Sequence, residues 1–272
     1  MSALDQVARW PVQNAAAAVV GPRGVLAEHG DTARMFRLAS VTKPLAALAI
    51  LVAVEEEAVT LDDPADEAVV PGATLRHLLA HASGLAPQRA MRAAPVGTRR
   101  IYSNVGIERA GRLVADATGI GFAAYFDEAL EPLGLTGTSL PGSPARDGVS
   151  TVADLARVAQ ELLSPTGFLA AATLADATSV QFPGLRGVLP GFGAQDPNDW
   201  GLGFEIRGTK SPHWTGSTNS TRTYGHFGQS GTMFWVDPDA ELALIALTDR
   251  NFGPWAAQAW PELADAVLAG GR

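Results

Sequence analysis

Phe36-Arg37-Leu38-Ala39-Ser40-Val41-Thr42-Lys43-Pro44 places a hydroxyl and an amine three residues apart at the mouth of an apolar run. Residues three apart on a helix share a face, so Ser40 and Lys43 are expected within reach of one proton. Proline at 44 has no N–H, and its ring collides with the carbonyl four residues back, so a helix does not extend comfortably upstream of Ser40. Ser40 is therefore expected at a helix N-terminus, where free N–H groups and the positive end of the macrodipole stabilise an oxyanion. Ala46 to Val54 is apolar on every side, which predicts a helix buried all round. Burial and the helix end both disfavour an ammonium, so Lys43 is expected to lose basicity. On these residues alone, a capping serine followed by a lysine reaching to solvent is the competing reading.

The bulk properties narrow the chemistry. The 272 residues are long enough for two lobes around a sizeable core. With no cysteine, disulfides, thiolate nucleophiles and cysteine-ligated zinc are excluded, leaving hydroxyls, carboxylates, amines and imidazoles. A net charge of −8 without long runs of one sign argues against nucleic acid and anionic membrane as partners. Met1 to Val12 lacks a basic region followed by an apolar core, and no apolar stretch reaches spanning length. A soluble cytoplasmic protein is expected.

Along the chain, Leu4, Val7 and Ala8 predict a short helix ended by Pro11. Ala15 to Val20 and Val25 to Glu28, parted by Gly21-Pro22-Arg23-Gly24, read as a β-hairpin. After the serine helix, Thr60-Leu61-Asp62-Asp63-Pro64 forms a turn and Thr74 an N-cap. His77 and His81 stand at a metal-ligand spacing. No Glu follows His77 and no third ligand is evident, so they are expected to be satisfied structural histidines, with no metal. Helices are predicted from Val105 to Thr118, stopped by Gly119, and from Phe122 to Leu130. Thr151 is expected to cap a third, Leu155 to Leu163, with Asp154 reaching back to the cap. Pro183 to Asn198, rich in Gly and Pro, reads as a long loop. Strand patterns follow at Leu202 to Arg207, Thr223 to Phe227, Met233 to Val236 and Glu241 to Thr248, then a helix from Trp255 to Leu268. The expected fold is α/β (α+β): an antiparallel sheet flanked by helices, built from N- and C-terminal segments, with an inserted all-helical lobe. The chain is expected to be one domain, with residues 1–59 and 181–272 forming the sheet lobe and 60–180 the helical lobe.

Tyr102-Ser103-Asn104 and Gly225-His226-Phe227-Gly228, read in order with Ser40-Val41-Thr42-Lys43, resemble the serine β-lactamase and penicillin-binding-protein superfamily. The closest resemblance is to its class C branch, with the related esterases of the family VIII type and D-peptidases. His77-Leu78-Leu79-Ala80-His81-Ala82-Ser83-Gly84-Leu85, Pro132-Leu133-Gly134-Leu135 and Trp200-Gly201-Leu202-Gly203 also look like family landmarks in family order. The resemblance implies that Ser40 attacks an acyl carbon and Lys43 holds and shares its proton. It further implies Tyr102 as base, its phenolate favoured by the nearby amine. By position, the backbone N–H groups of Ser40 and Gln229 would bind the oxyanion, losing one of which costs about 100- to 1000-fold. Asn104 would orient the acyl carbonyl or amide side chain, His226 would support Tyr102 or the leaving group, and Phe227 and Gly228 would line the substrate pocket. No cofactor is implied.

Two positions depart from relatives that bind a substrate carboxylate. Those pair Lys with Thr or Ser where this chain has His226 and Phe227. A neutral histidine and a phenyl ring offer neither a fixed cation nor a hydroxyl. The expectation is a serine hydrolase acting on a small-molecule ester or amide, most readily a small ester. A D-amino-acid peptidase, a β-lactamase or an acyltransferase would use the same site. A non-catalytic binding module of this fold is the alternative of a different class. The oligomeric state is not legible in the sequence.

Overall fold

A run such as Leu242-Ala243-Leu244-Ile245-Ala246-Leu247 is apolar at every position, so as a strand it needs cover on both faces. The computed structural model, which describes residues 2–270, supplies that cover. The chain enters through a 3₁₀ helix (Ala3–Arg9), tighter than the amphipathic turn expected there, and forms β1 (Ala15–Gly21) and β2 (Gly24–His29). A short β3 (Phe36–Arg37) leads through a 3₁₀ turn (Ala39–Val41) into α1 (Thr42–Glu55). The insert then carries α2 (Leu75–Leu79), α3 (Asn104–Thr118), α4 (Phe122–Leu130), β4 (Val149–Ser150), α5 (Val152–Leu163) and α6 (Ala171–Ala177). Next come β5 (Gly187–Leu189), β6 (Gly193–Gln195), β7 (Glu205–Ile206), β8 (Tyr224–Gly228), β9 (Thr232–Asp237) and β10 (Leu242–Thr248), before α7 (Pro254–Leu268).

The main sheet runs β2-β1-β10-β9-β8-β7, each pair antiparallel. Alternation along its strands divides the apolar side chains between two cores. Ala16, Ala18, Phe234, Val236, Ile245 and Leu247 face α1 and the insert. Ala17, Val19, Met233, Trp235, Leu244 and Ala246 face α7 and the N-terminal 3₁₀ helix. Helix α1 is buried nearly all round, as its uniformly apolar sequence predicts, and Lys43 is buried with it.

Several local expectations change. The α-helix begins at Thr42, so Ser40 sits in the preceding 3₁₀ turn and Pro44 falls in the first α-helical turn, where its missing N–H has no partner to lose. The stretch 183–198 is not a plain loop but folds into the β5–β6 hairpin. The strand expected at 202–207 shortens to Glu205–Ile206, because Gly203 takes a left-handed backbone (φ +79°) and packs on α1, where an added Cβ would stand 2.2 Å from that of Ala47. Thr151 caps α5 through the Asp154 N–H, but the Asp154 carboxylate turns away to Gly137 N and Thr138 Oγ1. Among the described residues no helix is long and apolar enough to cross a membrane.

Candidate active site

Ser40 is aimed by its neighbours. Ala39 holds φ +45°, a backbone uncommon for alanine, so the chain turns sharply just before the serine. Thr42 Oγ1 closes the turn on Ala39 O at 2.6 Å and accepts from Gly148 N at 2.9 Å. From the β8–β9 turn, Thr232 Oγ1 donates to Leu38 O at 2.8 Å and Ser230 Oγ to Arg37 O at 2.6 Å. Gly228 permits this approach, since a Cβ there would stand 2.2 Å from Leu38 O. Ser40 and Gln229 consequently share the wall of one cleft, and neither backbone N–H finds an acceptor among the described residues.

Lys43 is fully buried. Its Nζ lies 2.7 Å from Asn104 Oδ1, 2.8 Å from Ala145 O and 3.2 Å from Ser40 Oγ. Burial, then the charge of Arg146, holds its pKa well below the usual lysine value. A neutral amine has two N–H groups, which the two carbonyl oxygens take, leaving its lone pair for the serine. Tyr102 Oη donates to Ser40 Oγ at 2.7 Å. Burial pushes this phenol up, against the lowering effect of the Ser40 hydrogen bond. Burial therefore disfavours the phenolate that the family resemblance implied here.

His226 projects from β8 beside the phenol, with Nε2 3.3 Å from Tyr102 Oη. Its Nδ1 donates to Phe227 O at 2.7 Å, which fixes the tautomer and leaves Nε2 as acceptor. Burial, then Lys43, lowers its pKa to about 3. The next residue faces the other way: the Phe227 ring packs among Phe192, Trp214, Phe252 and Trp260 beneath α7, and the residue also lines the cleft. Arg222, two residues before β8, pairs with Asp239 at 2.8 Å on the surface.

The cleft holds about 600 Å³, with Ser40, Tyr102, Asn104, His226, Phe227 and Gln229 all on its walls. Gly228 contributes through its contact with the nucleophile turn. Sequence reasoning missed several other wall residues. Trp200 meets the rings of Tyr102 (5.7 Å) and His226 (5.4 Å), and the β5–β6 hairpin adds Val188, Leu189 and Pro190. Exposed Arg99 stands on the rim. Buried Arg100 donates to the carbonyls of Ala80, Gln181 and Asn198, clamping the loops behind the cleft. The Ala145 carbonyl on Lys43 carries no sequence signal, since any residue supplies a carbonyl. Trp200 did have one, as part of a landmark turn, but no role followed from it. His77 Nδ1 accepts from Thr74 N as a helix cap, whereas His81 is not fully satisfied: its buried Nε2 has no partner among the described residues.

Comparison with known proteins places this geometry in context. The chain matches the sequence model of the Beta-lactamase family over residues 8–269. A beta-lactamase from Mycobacterium bovis is 59% identical, with a TM-score of 0.96 and 99% of each chain covered. EstCE1, a hydrolase with promiscuous acyltransferase activity, is 18% identical, with a TM-score of 0.79 over 98% of this chain and 96% of its own. A D-stereospecific amidohydrolase from Streptomyces sp. is 19% identical, with a TM-score of 0.74 over 98% and 97%. A search of curated proteins returned no match.

Proposed function

Because this chain belongs to the beta-lactamase family of serine hydrolases, we propose that it hydrolyses small neutral esters through an acyl-enzyme on Ser40. The observation that carries the reading is the meeting of Tyr102 Oη (2.7 Å) and Lys43 Nζ (3.2 Å) on Ser40 Oγ at a cleft wall. Neutral Lys43 takes the serine proton as Oγ bonds to the acyl carbon. The oxyanion forms against the N–H groups of Ser40 and Gln229. As the carbon–oxygen bond to the leaving alcohol breaks, the Lys43–Tyr102 pair returns the proton through the phenol that touches Oγ, while the His226 ring packs beside that phenol. Water then gives a proton to the same pair and attacks the acyl carbon, and Ser40 leaves with a proton. Asn104 gives its Oδ1 to Lys43, so only its amide N–H groups serve the substrate.

Esters are favoured because β8 presents a neutral imidazole and an apolar ring, and a carboxylate placed there loses hydration without a charged donor. Two observations favour a second reading: the Mycobacterium bovis relative is described as a beta-lactamase, and Arg99 stands on the cleft rim. Hydrolysis of β-lactam or D-peptide amides would use the same residues. The cytoplasmic location belongs to the ester reading and is tested by cell fractionation. The chemistry is tested by intact mass after exposure to a fluorophosphonate, with chromogenic short-chain esters and a chromogenic cephalosporin assayed in parallel. The expected result is one adduct on Ser40, absent in Ser40→Ala, with turnover of the ester. An adduct on another serine, or no adduct, overturns the assignment.

A further inference from the structure

Residues 101–103, which present Tyr102 to Ser40, lie in no helix or strand, so no ladder of hydrogen bonds holds them. His81 supplies the missing support from both sides. Ile101 N donates to the His81 carbonyl at 2.9 Å, and Ser103 N donates to His81 Nδ1 at 3.2 Å. The amides on either side of the tyrosine therefore end on one residue. The His81 ring also lies against the Tyr102 ring, with centroids 4.8 Å apart, and meets Trp200 edge-on at 4.6 Å.

Histidine is disfavoured at this position on stability alone. Its φ is +56°, a left-handed backbone that side-chain-bearing residues rarely adopt. Because Nδ1 accepts, Nε2 must carry the hydrogen, and that buried donor has no partner among the described residues. Strain and an unpaired polar atom kept together at one site point to function more than to packing.

We propose that His81 is a positioning residue for Tyr102, holding the phenol on Ser40 Oγ through its carbonyl and Nδ1. This rests on the reading that Tyr102 carries the transferred proton. Its Nδ1 is the working atom, whereas the outer half of the ring is filler. Burial lowers the pKa of the imidazole and so favours the neutral ring, whose Nδ1 accepts from Ser103 N.

Two substitutions separate these parts. His81→Asn keeps an oxygen acceptor close to the position of Nδ1 and suits a left-handed backbone. His81→Phe keeps the ring and the stacking but removes the acceptor. With a neutral chromogenic ester, the expected kcat of His81→Asn is within about threefold of the parent. That of His81→Phe falls about 30-fold with KM nearly unchanged, since a small displacement of a reacting group is costly in rate. Fluorophosphonate labelling of Ser40 should slow in the same order.

A His81→Phe protein as fast as His81→Asn, or a loss confined to KM, overturns the proposal. If His81→Phe does not fold, His81→Ala replaces it, and equal kcat for His81→Ala and His81→Asn is then the overturning result. Tyr102→Phe is measured alongside. If it stays active, the reading of Tyr102 has failed. If it is inactive while the His81 ranking is reversed, only the positioning role has failed.

Discussion

Tyr102 Oη lies closer to Ser40 Oγ, at 2.7 Å, than Lys43 Nζ does, at 3.2 Å, yet the phenol donates to the serine and cannot at the same time take its proton. The lone pair of the neutral amine is the open acceptor. In the proposed mechanism, proton flow therefore enters at Lys43 and leaves at Tyr102. Neither residue is a spare for the other.

Lys43→Ala is accordingly expected to lose activity as completely as Ser40→Ala, by about 1000-fold or more, because residues that act as one unit fail together. Steady-state kcat/KM on a chromogenic ester is the measurement. A Lys43→Ala enzyme within about tenfold of the parent would refute the shared-proton mechanism.

The pH–rate profile should rise through one limb. Activity needs the neutral amine, so protonating Lys43 at low pH quenches it and the rate climbs as pH passes the depressed pKa. That limb belongs to the coupled Lys43–Tyr102 pair. His226, with its pKa near about 3, stays neutral across the assay range and adds no limb near neutrality. The limb should therefore persist in His226→Asn. Its disappearance there would assign it to the histidine.

Acid stability gives an independent check. His77, His81, His213 and His226 all have pKa values lowered by burial, so below about pH 6.5 the unfolded chain binds more protons than the folded one. Where the unfolded state binds more protons, stability rises with pH, so it is present above about pH 6.5 and lost on acidification. Each of the buried histidines His81, His213 and His226 contributes up to about 1.4 kcal/mol per pH unit, and half-exposed His77 less. Carboxylates such as Glu205 and Asp237 are held below their usual values and stay ionised in this window. Tm should fall steadily between about pH 6.5 and 5, less steeply in His226→Asn. A flat Tm over that range would show that the histidines are not buried as described.

What the sequence disclosed, and what it hid, follows from the range of the interactions. Ser40 and Lys43 lie three apart, and the apolar run after them dictates burial, so their contact was legible locally. The strands β9 and β10 were legible because a covered strand must be apolar, as Met233 to Val236 and Leu242 to Leu247 are. The direction of the Phe227 ring was not, since it depends on which face of β8 lies against α7. The Ala145 carbonyl on Lys43 and the His81 contact with Ser103 are long-range and partly backbone, and leave no mark on residue type. The burial of Tyr102 and Lys43 was hidden for the same reason: the sequence shows that an amine is near, but not that both groups are cut off from water.

Specificity turns on Phe227 and Arg99. On sequence grounds Phe227→Thr simply restores a hydroxyl to the substrate strand, but the ring is buried among Phe192, Trp214, Phe252 and Trp260. Replacing it leaves a cavity and is expected to cost about 3 kcal/mol, so that variant tests packing more than substrate choice. Arg99 is the better probe, because it stands exposed on the rim and its loss should leave the core untouched. An exposed ion pair contributes at most about 1 kcal/mol, so Arg99→Gln should lower kcat/KM on a cephalosporin by up to about fivefold. Activity on a neutral ester should stay within about twofold, since no charge on the substrate faces the guanidinium. The parent is expected to favour the neutral ester before any substitution is made. If the parent prefers the cephalosporin and Arg99→Gln reverses that preference, the enzyme is a β-lactam hydrolase and the ester reading falls.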